Sequence, residues 1–147
     1  MIRIETKRFE ELTPYELYAI LKARFDVFVL EQECLYEEFD EKDLKALHVC
    51  LYEDDVLKAY LRVLDKGVSY EEASIGRVLS LGRRKGYASL ILKEGIRQAE
   101  EVFHAEAVHI EAQTYARSLY EKEGFEQCSD AFLEDGIEHI EMIRRKR

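Results

Sequence analysis

Between Ser74 and Ala112 the hydrophobic pattern changes period twice. Ser74 to Leu81 reads as a strand, and Ala88 to Phe103 reads as a helix with Leu90, Ile91, Lys93-Glu94 and Ile96 in register. Ala107 to Ala112 reads as a strand again. A strand, a crossover helix and a second strand predict one parallel pair. The flanking segments demand something different. Leu47–Tyr52 and Val56–Leu64 surround the turn Glu53-Asp54-Asp55, which makes a hairpin. Phe125–Cys128 and Ile137–Ile143 are two last strands, with Asp135-Gly136 as the turn between them. Ile2 and Ile4 alternate with polar neighbours in a short first strand. Thr13-Pro14-Tyr15-Glu16 is a capping-box helix start, and the helix it opens runs to about Val29. A short helix from Ala116 to Lys122 stops at Gly124. The resulting order, β-α-β-β-β-α-β-α-β-β, predicts an α/β fold. Its central sheet is mixed and mostly antiparallel, with helices on both faces and a single domain over residues 1–147.

The turn inside the parallel unit is chemically marked. Arg83-Arg84-Lys85-Gly86-Tyr87-Ala88-Ser89 joins strand to helix. Unpaired N–H groups and the positive end of the helix dipole converge there, where a phosphate could sit. Gly86 permits a sharp turn and close approach of a ligand to the backbone. The stretch is neither a Walker loop nor a G-x-G-x-x-G fingerprint. A solvated basic loop would carry the same residues.

Charge and cysteine usage narrow the partners. The formal net charge of −9 over 147 residues disfavours nucleic acid and anionic membrane and suits a cationic amine. No run approaches the roughly 18 apolar residues of a membrane span. The first residues do not read as a signal peptide. Cys34, Cys50 and Cys128 are odd in number and widely spaced, and the four histidines form no H-x₃-H pair. Neither a disulfide framework nor a metal site is expected, and the cytoplasm is the expected compartment.

Arg83, Gly86 and Ala88 fill the three fixed positions of Gln/Arg-x-x-Gly-x-Gly/Ala. In this the turn resembles the pyrophosphate loop of the GNAT superfamily of acetyl-coenzyme A-dependent N-acetyltransferases. Further segments resemble the ElaA-like branch of that superfamily. They are Arg24-x-x-Val27-Phe28-Val29-x-Glu31-Gln32, Ile75-Gly76-Arg77-Val78, Ala112-Gln113, Tyr120-x-x-x-Gly124-Phe125 and Glu134-Asp135-Gly136-Ile137-x-His139. Together they span nearly the whole chain in order. The chain departs from the branch at Glu138, where Pro is common, and between Arg77 and Arg83, which is about two residues short.

The resemblance implies a parallel pair that splays, acetyl-CoA as co-substrate, and direct transfer to a small-molecule or peptide amine. It implies that Val78, Leu79 and Ser80 meet the pantetheine arm. Arg83, Arg84, Lys85, Gly86, Tyr87, Ala88 and Ser89 would bind the pyrophosphate, and Gln113 the cofactor or the substrate. Tyr120 would protonate the departing thiolate. Arg24, Glu31, Gln32, Asp40, His48 and His139 are the candidates on the substrate side, with Glu31, Asp40, His48 and His139 all open as the base. Arg24, on a mostly apolar helix face, could order the acids of the acid-dense segment Glu31 to Asp43 by a charge-assisted bond, or be structural. Direct transfer gives Cys34 no covalent role, and a homodimer is allowed. A coenzyme A-binding regulatory module that has lost turnover is the alternative reading.

Overall fold

The computed structural model describes residues 1–32, 38–82 and 86–146. Cys34 and the basic residues Arg83, Arg84 and Lys85 lie outside them. The strands are β1 (Ile2–Arg8), β2 (Leu47–Glu53), β3 (Val56–Leu64), β4 (Ala73–Ser80), β5 (Ala107–Gln113), β6 (Glu126–Gln127), β7 (Phe132–Glu134) and β8 (Ile137–Arg145). They form one sheet in the order β1-β2-β3-β4-β5-β8-β6, and β7 also pairs with β8. Every pairing is antiparallel except β4 with β5. The expected mixed sheet is therefore present, with its one parallel pair at the predicted place.

Helix α1 (Pro14–Arg24) begins as its capping residues dictate. Thr13 Oγ1 accepts from the Glu16 N–H at 3.0 Å, and the Glu16 carboxylate accepts from the Thr13 N–H at 2.8 Å. Its end differs from the expected Val29. Regular α-geometry stops at Arg24, and Phe25–Glu31 continues as a wider π-helical turn. The apolar spacing of Phe25 and Phe28 survives that change of pitch, so the pattern alone could not locate it. Helix α2 (Tyr87–Val102) and helix α3 (Arg117–Glu121) follow β4 and β5. The Asp135-Gly136 turn joins β7 to β8, rather than the segment near Phe125 to β8 as expected. Residues 132–134 form a strand too short for alternation to betray it. Both turn residues have positive φ, 52° and 78°, as a type I′ hairpin requires.

Two apolar layers sandwich the sheet. One lies under α2 and α3 and contains Leu51, Leu61, Ile75, Ile91, Ile110, Tyr120, Ile140 and Met142. The other lies under α1 and contains Ile20, Cys50, Tyr60 and Leu79. Helix α2 comes close to β3 at Gly95. A Cβ there would stand 2.9 Å from one Leu61 methyl and 3.2 Å from the Ile75 methyl. Gly95→Val is expected to overpack this contact and cost about 1–3 kcal/mol of unfolding free energy, measured by urea denaturation.

Candidate active site

The site starts where β4 and β5 stop pairing. Their parallel ladder holds only at Ala73↔Val108 and Ser74↔His109, and beyond it the strands part. The inner edge of β4 from Ile75 onward is thus free of strand partners among the described residues. The other side of β4 is disturbed at the same level. Tyr60 pairs with Leu79 and Arg62 with Gly76, so Arg77 and Val78 together oppose the single residue Leu61. This is a β-bulge, and Arg77 occupies it in the left-handed region at φ 53°. The extra residue inverts the strand. Ile75 faces the α2 layer, whereas Leu79 faces the α1 layer although it lies an even number of residues away.

A cavity of about 960 Å³ fills the gap. Val27 and Phe28 wall it from α1's side, and Ala88, Leu119 and Tyr120 from that of α2 and α3. The cleft therefore reaches both faces of the sheet. Val78, Leu79, Ser80 and Gln113 line it, as do Glu31, Gln32, Asp40 and His139.

At one end of the cleft stands the first turn of α2. Gly86 precedes it at φ 71°, a conformation that side chains resist, and a Cβ there would meet nothing within 4 Å. Among the described residues no side chain caps this terminus. Helix geometry leaves the N–H groups of Tyr87, Ala88 and Ser89 without acceptors inside the helix. The Tyr87 ring is buried, and its hydroxyl donates to the Glu53 carboxylate at the end of β2. The Tyr87 side chain thus anchors the helix to a hairpin, and only its backbone faces outward to a ligand.

Tyr120 is 8% exposed, packs edge-on against Phe125 and lines the cleft. Burial pushes its hydroxyl pKa well up, so the group stays protonated and can only donate or share its proton.

Two substrate candidates leave the cleft wall. Arg24 is fully buried, with Nε 2.5 Å from the Glu38 carboxylate and Nη1 donating to Asp43 at 2.7 Å. Asp43 Oδ1 also accepts from Arg62 at 3.0 Å, and Arg62 holds Asp40 at 2.7 Å. Arg77 joins the network through Glu38 at 2.9 Å and Asp40 at 3.4 Å. Burial alone would raise the Asp43 pKa, but hydrogen bonds from Arg24 and Arg62 outweigh it and hold the carboxyl below its usual range. Asp40 is depressed in the same way, chiefly by Arg62, so it lines the cleft as a poor base. His48 is 1% exposed. Its Nε2 lies 2.9 Å from the Asp43 carbonyl, which can only accept, so Nε2 carries the proton and Nδ1 accepts from the Tyr60 hydroxyl at 2.6 Å. Both nitrogens are engaged, and His48 has nothing to offer a substrate. Cys50 is also buried, and its thiol is pushed up to about 12.

The far wall holds different chemistry. Glu111 of β5, Glu134 of β7 and His139 of β8 bring a ligand-type atom each within 4.8 Å of one another. All three line the cleft.

Comparison with known proteins decides the family. Residues 10–146 match the acetyltransferase (GNAT) domain. The chain belongs to the GNAT acetyltransferase family. It is 39% identical over 140 residues to a UPF0039 protein of Schizosaccharomyces pombe, covering 92% of each chain. It is similar to the ElaA protein of Escherichia coli, at 31% identity over 148 residues and 98% and 97% coverage. The solved structure of that ElaA superposes with a TM-score of 0.91 at 30% identity, covering 99% of this chain and all of the other. An acyl-CoA N-acyltransferase of Pseudomonas aeruginosa superposes with a TM-score of 0.89 at 35% identity, covering 97% and 99%.

Within this GNAT domain, Arg24 does order acids of the 31–43 segment, as one reading of the sequence allowed, but sequence reasoning missed that Arg62 and Arg77 share them. One signal was available: Arg62 interrupts an otherwise apolar stretch, Ala59-Tyr60-Leu61-Arg62-Val63-Leu64, of a central strand. It also missed Glu111 and Glu134, which are ordinary exposed acids until the sheet assembles them.

The buried histidine yields a pH prediction. Burial lowers the His48 pKa below the ordinary 6.5, against the opposing Asp43 carbonyl. As pH falls, the unfolded chain therefore binds that proton first, and stability declines from about pH 7 downward by up to about 1.4 kcal/mol per pH unit. Asp40 and Asp43 have depressed values, so their share is retained until the pH falls into the ordinary carboxylate range and is lost below it. Urea midpoints taken from pH 7.5 to 5 should slope for the wild type and flatten for His48→Gln, which keeps a donor and an acceptor.

Proposed function

We propose that this GNAT protein is an N-acetyltransferase that moves an acetyl group from acetyl-CoA directly to the primary amine of a small molecule or peptide. The observation that carries the reading is the free inner edge of β4, opening at its bulge into a cleft that ends at the uncapped N-terminus of α2. An extended amide-bearing arm can pair with that edge as a further strand would. The first-turn N–H groups of Tyr87, Ala88 and Ser89 then meet a pyrophosphate, and Gly86 leaves room for it. Arg83, Arg84 and Lys85 would supply mobile positive charge at the same place. The co-substrate contributes an activated thioester, which an unprotonated amine attacks.

Tyr120 is our assignment for the acid. It lines the cleft and is protonated at neutral pH, so its hydroxyl can donate a hydrogen bond to the sulfur as negative charge develops there and give up its proton as the acylated nitrogen returns one. Gln113, at the end of β5, can hydrogen-bond either ligand. The cysteine pattern supports a reducing, cytoplasmic setting, and Cys50, sealed in the core, has no access to a substrate. The similar Pseudomonas protein is an acyl-CoA N-acyltransferase, which supports the same donor class.

Two measurements test this. Gly86→Glu places bulk and negative charge against the phosphates. Coenzyme A affinity by calorimetry should fall tenfold or more, since each charge-assisted hydrogen bond is worth about 1.5–3 kcal/mol. Unchanged affinity in a folded variant would remove the loop from the site. Tyr120→Phe keeps the ring and loses the proton. Affinity for coenzyme A should stay within about threefold while turnover drops roughly 10–100-fold, because water can substitute in part. Turnover unchanged across the pH range returns Tyr120 to the core, whereas collapse of cofactor binding would make it a clamp on the arm.

A further inference from the structure

We infer that Glu111, Glu134 and His139 form the site that receives the acceptor as an ammonium ion, with His139 as the base that deprotonates it. The inference rests on the transfer reading above and names the substrate class for it.

Register places the three groups together. Gln113 pairs with His139, so Glu111 projects on the same face as both. Glu134 pairs with Ile137, two residues before His139, and so shares that face. The opposite face of the same strands is the core layer of Ala112, Ile140, Met142 and Tyr120. Donor-side and acceptor-side groups thus sit on opposite faces of the sheet, and the cleft between β4 and β5 connects them.

The chemistry of the triad fits one kind of guest. His139 Nδ1 lies 2.7 Å from the Ile137 carbonyl oxygen, which can only accept. Nδ1 therefore carries the hydrogen of the neutral ring, and Nε2 is left with a lone pair. The ring is also stacked against Phe132, with centroids 6.1 Å apart. An R–NH₃⁺ group has three donors. Acceptors about 2.9 Å from a tetrahedral nitrogen stand about 4.7 Å apart, and the three ligand-type atoms here all lie within 4.8 Å. Two carboxylates bind and orient the cation, while the imidazole is the one member that can take a proton and leave the nitrogen neutral.

The step balances. The ammonium gives one proton to His139, which passes it to solvent. The amine lone pair bonds to the thioester carbon, the C–S bond breaks, and sulfur takes a proton from Tyr120, which is restored by a second proton from the acylated nitrogen. The surroundings also set specificity. Glu111, Glu134 and Asp135 line this wall, and Tyr70 donates to Glu111 at 3.3 Å. A carboxylate on the acceptor would meet like charge here, so the class is an aliphatic primary amine that carries no acid group.

The test uses full-length protein saturated with acetyl-CoA or coenzyme A, and a matched pair of probes, 1,4-diaminobutane and 4-aminobutanoate. The diamine should bind and be acetylated, and the amino acid should do neither. Glu111→Gln and Glu134→Gln should each raise the KM for the diamine about tenfold or more without changing coenzyme A affinity. His139→Gln should lower kcat by about 10²–10⁴-fold at pH 7. That deficit should shrink as the pH rises toward about 10, where a growing fraction of an alkylamine is already neutral. A merely structural histidine would give a deficit independent of pH, which overturns its role. Failure of the diamine to bind, or equal use of the amino acid, overturns the site while intact coenzyme A binding preserves the transfer reading. A wild-type protein that does not bind coenzyme A overturns both.

Discussion

Arg77 holds a left-handed conformation in the middle of a strand, and the architecture of the cleft depends on it. A non-glycine residue at positive φ inside a β-ladder costs of order 1–3 kcal/mol and persists only where its surroundings over-determine it. Here they do so from two sides. β3 pairs normally above and below the bulge, at Tyr60↔Leu79 and Arg62↔Gly76. The Arg77 guanidinium is drawn to Glu38 and Asp40 beyond the sheet. The inverted end of β4 can then pack Leu79 under α1 while Ile75 packs under α2. One residue of extra length lets a single strand serve both layers and frees its edge where β5 turns away.

The arginine–carboxylate network that secures this arrangement is expensive to bury. Arg24 and Arg62 are almost wholly withdrawn from water, and such pairs are often no more stabilising than apolar residues of equal volume. What they contribute here is position. Arg24 belongs to the end of α1, Arg62 to β3 and Arg77 to β4, and each meets an acid from the segment 38–43. Four parts of the chain with no sequence proximity are held in register by groups that tolerate little displacement. The neighbouring His48–Tyr60 pair, with its fixed tautomer, extends that order into β2.

How much of this could be read from the sequence follows the range of the interactions. Local signals were legible. Thr13, Pro14 and Glu16 specify a helix start by contacts within one turn, and the strand–helix–strand periodicity specified the parallel pair. Non-local ones were not. The bulge at Arg77 depends on pairing with β3, and the residues around it read as plain strand. Arg24 stayed open between a substrate contact and a partner for the nearby acids because a charge on an apolar helix face can serve a ligand or a buried partner, and only the tertiary fold chooses. His48 was undecidable for the same reason. The family resemblance drew attention to the motif containing His139, yet Glu111 and Glu134 become its neighbours only through the register of β5, β7 and β8.

The two margins of the sheet carry a different consequence. β8 is flanked on its outer side by two short strands, of two and three residues, instead of one long one. The opposite margin, β1, carries Arg3, Glu5, Lys7 and Arg8 along its length. Neither side offers the long, flat, apolar row of free backbone groups onto which a foreign strand could grow. Both margins are thus poor templates for edge-to-edge growth, and a further stretch of unpaired strand edge, on β4, is turned inward to the cleft, where a ligand rather than another chain can complete it.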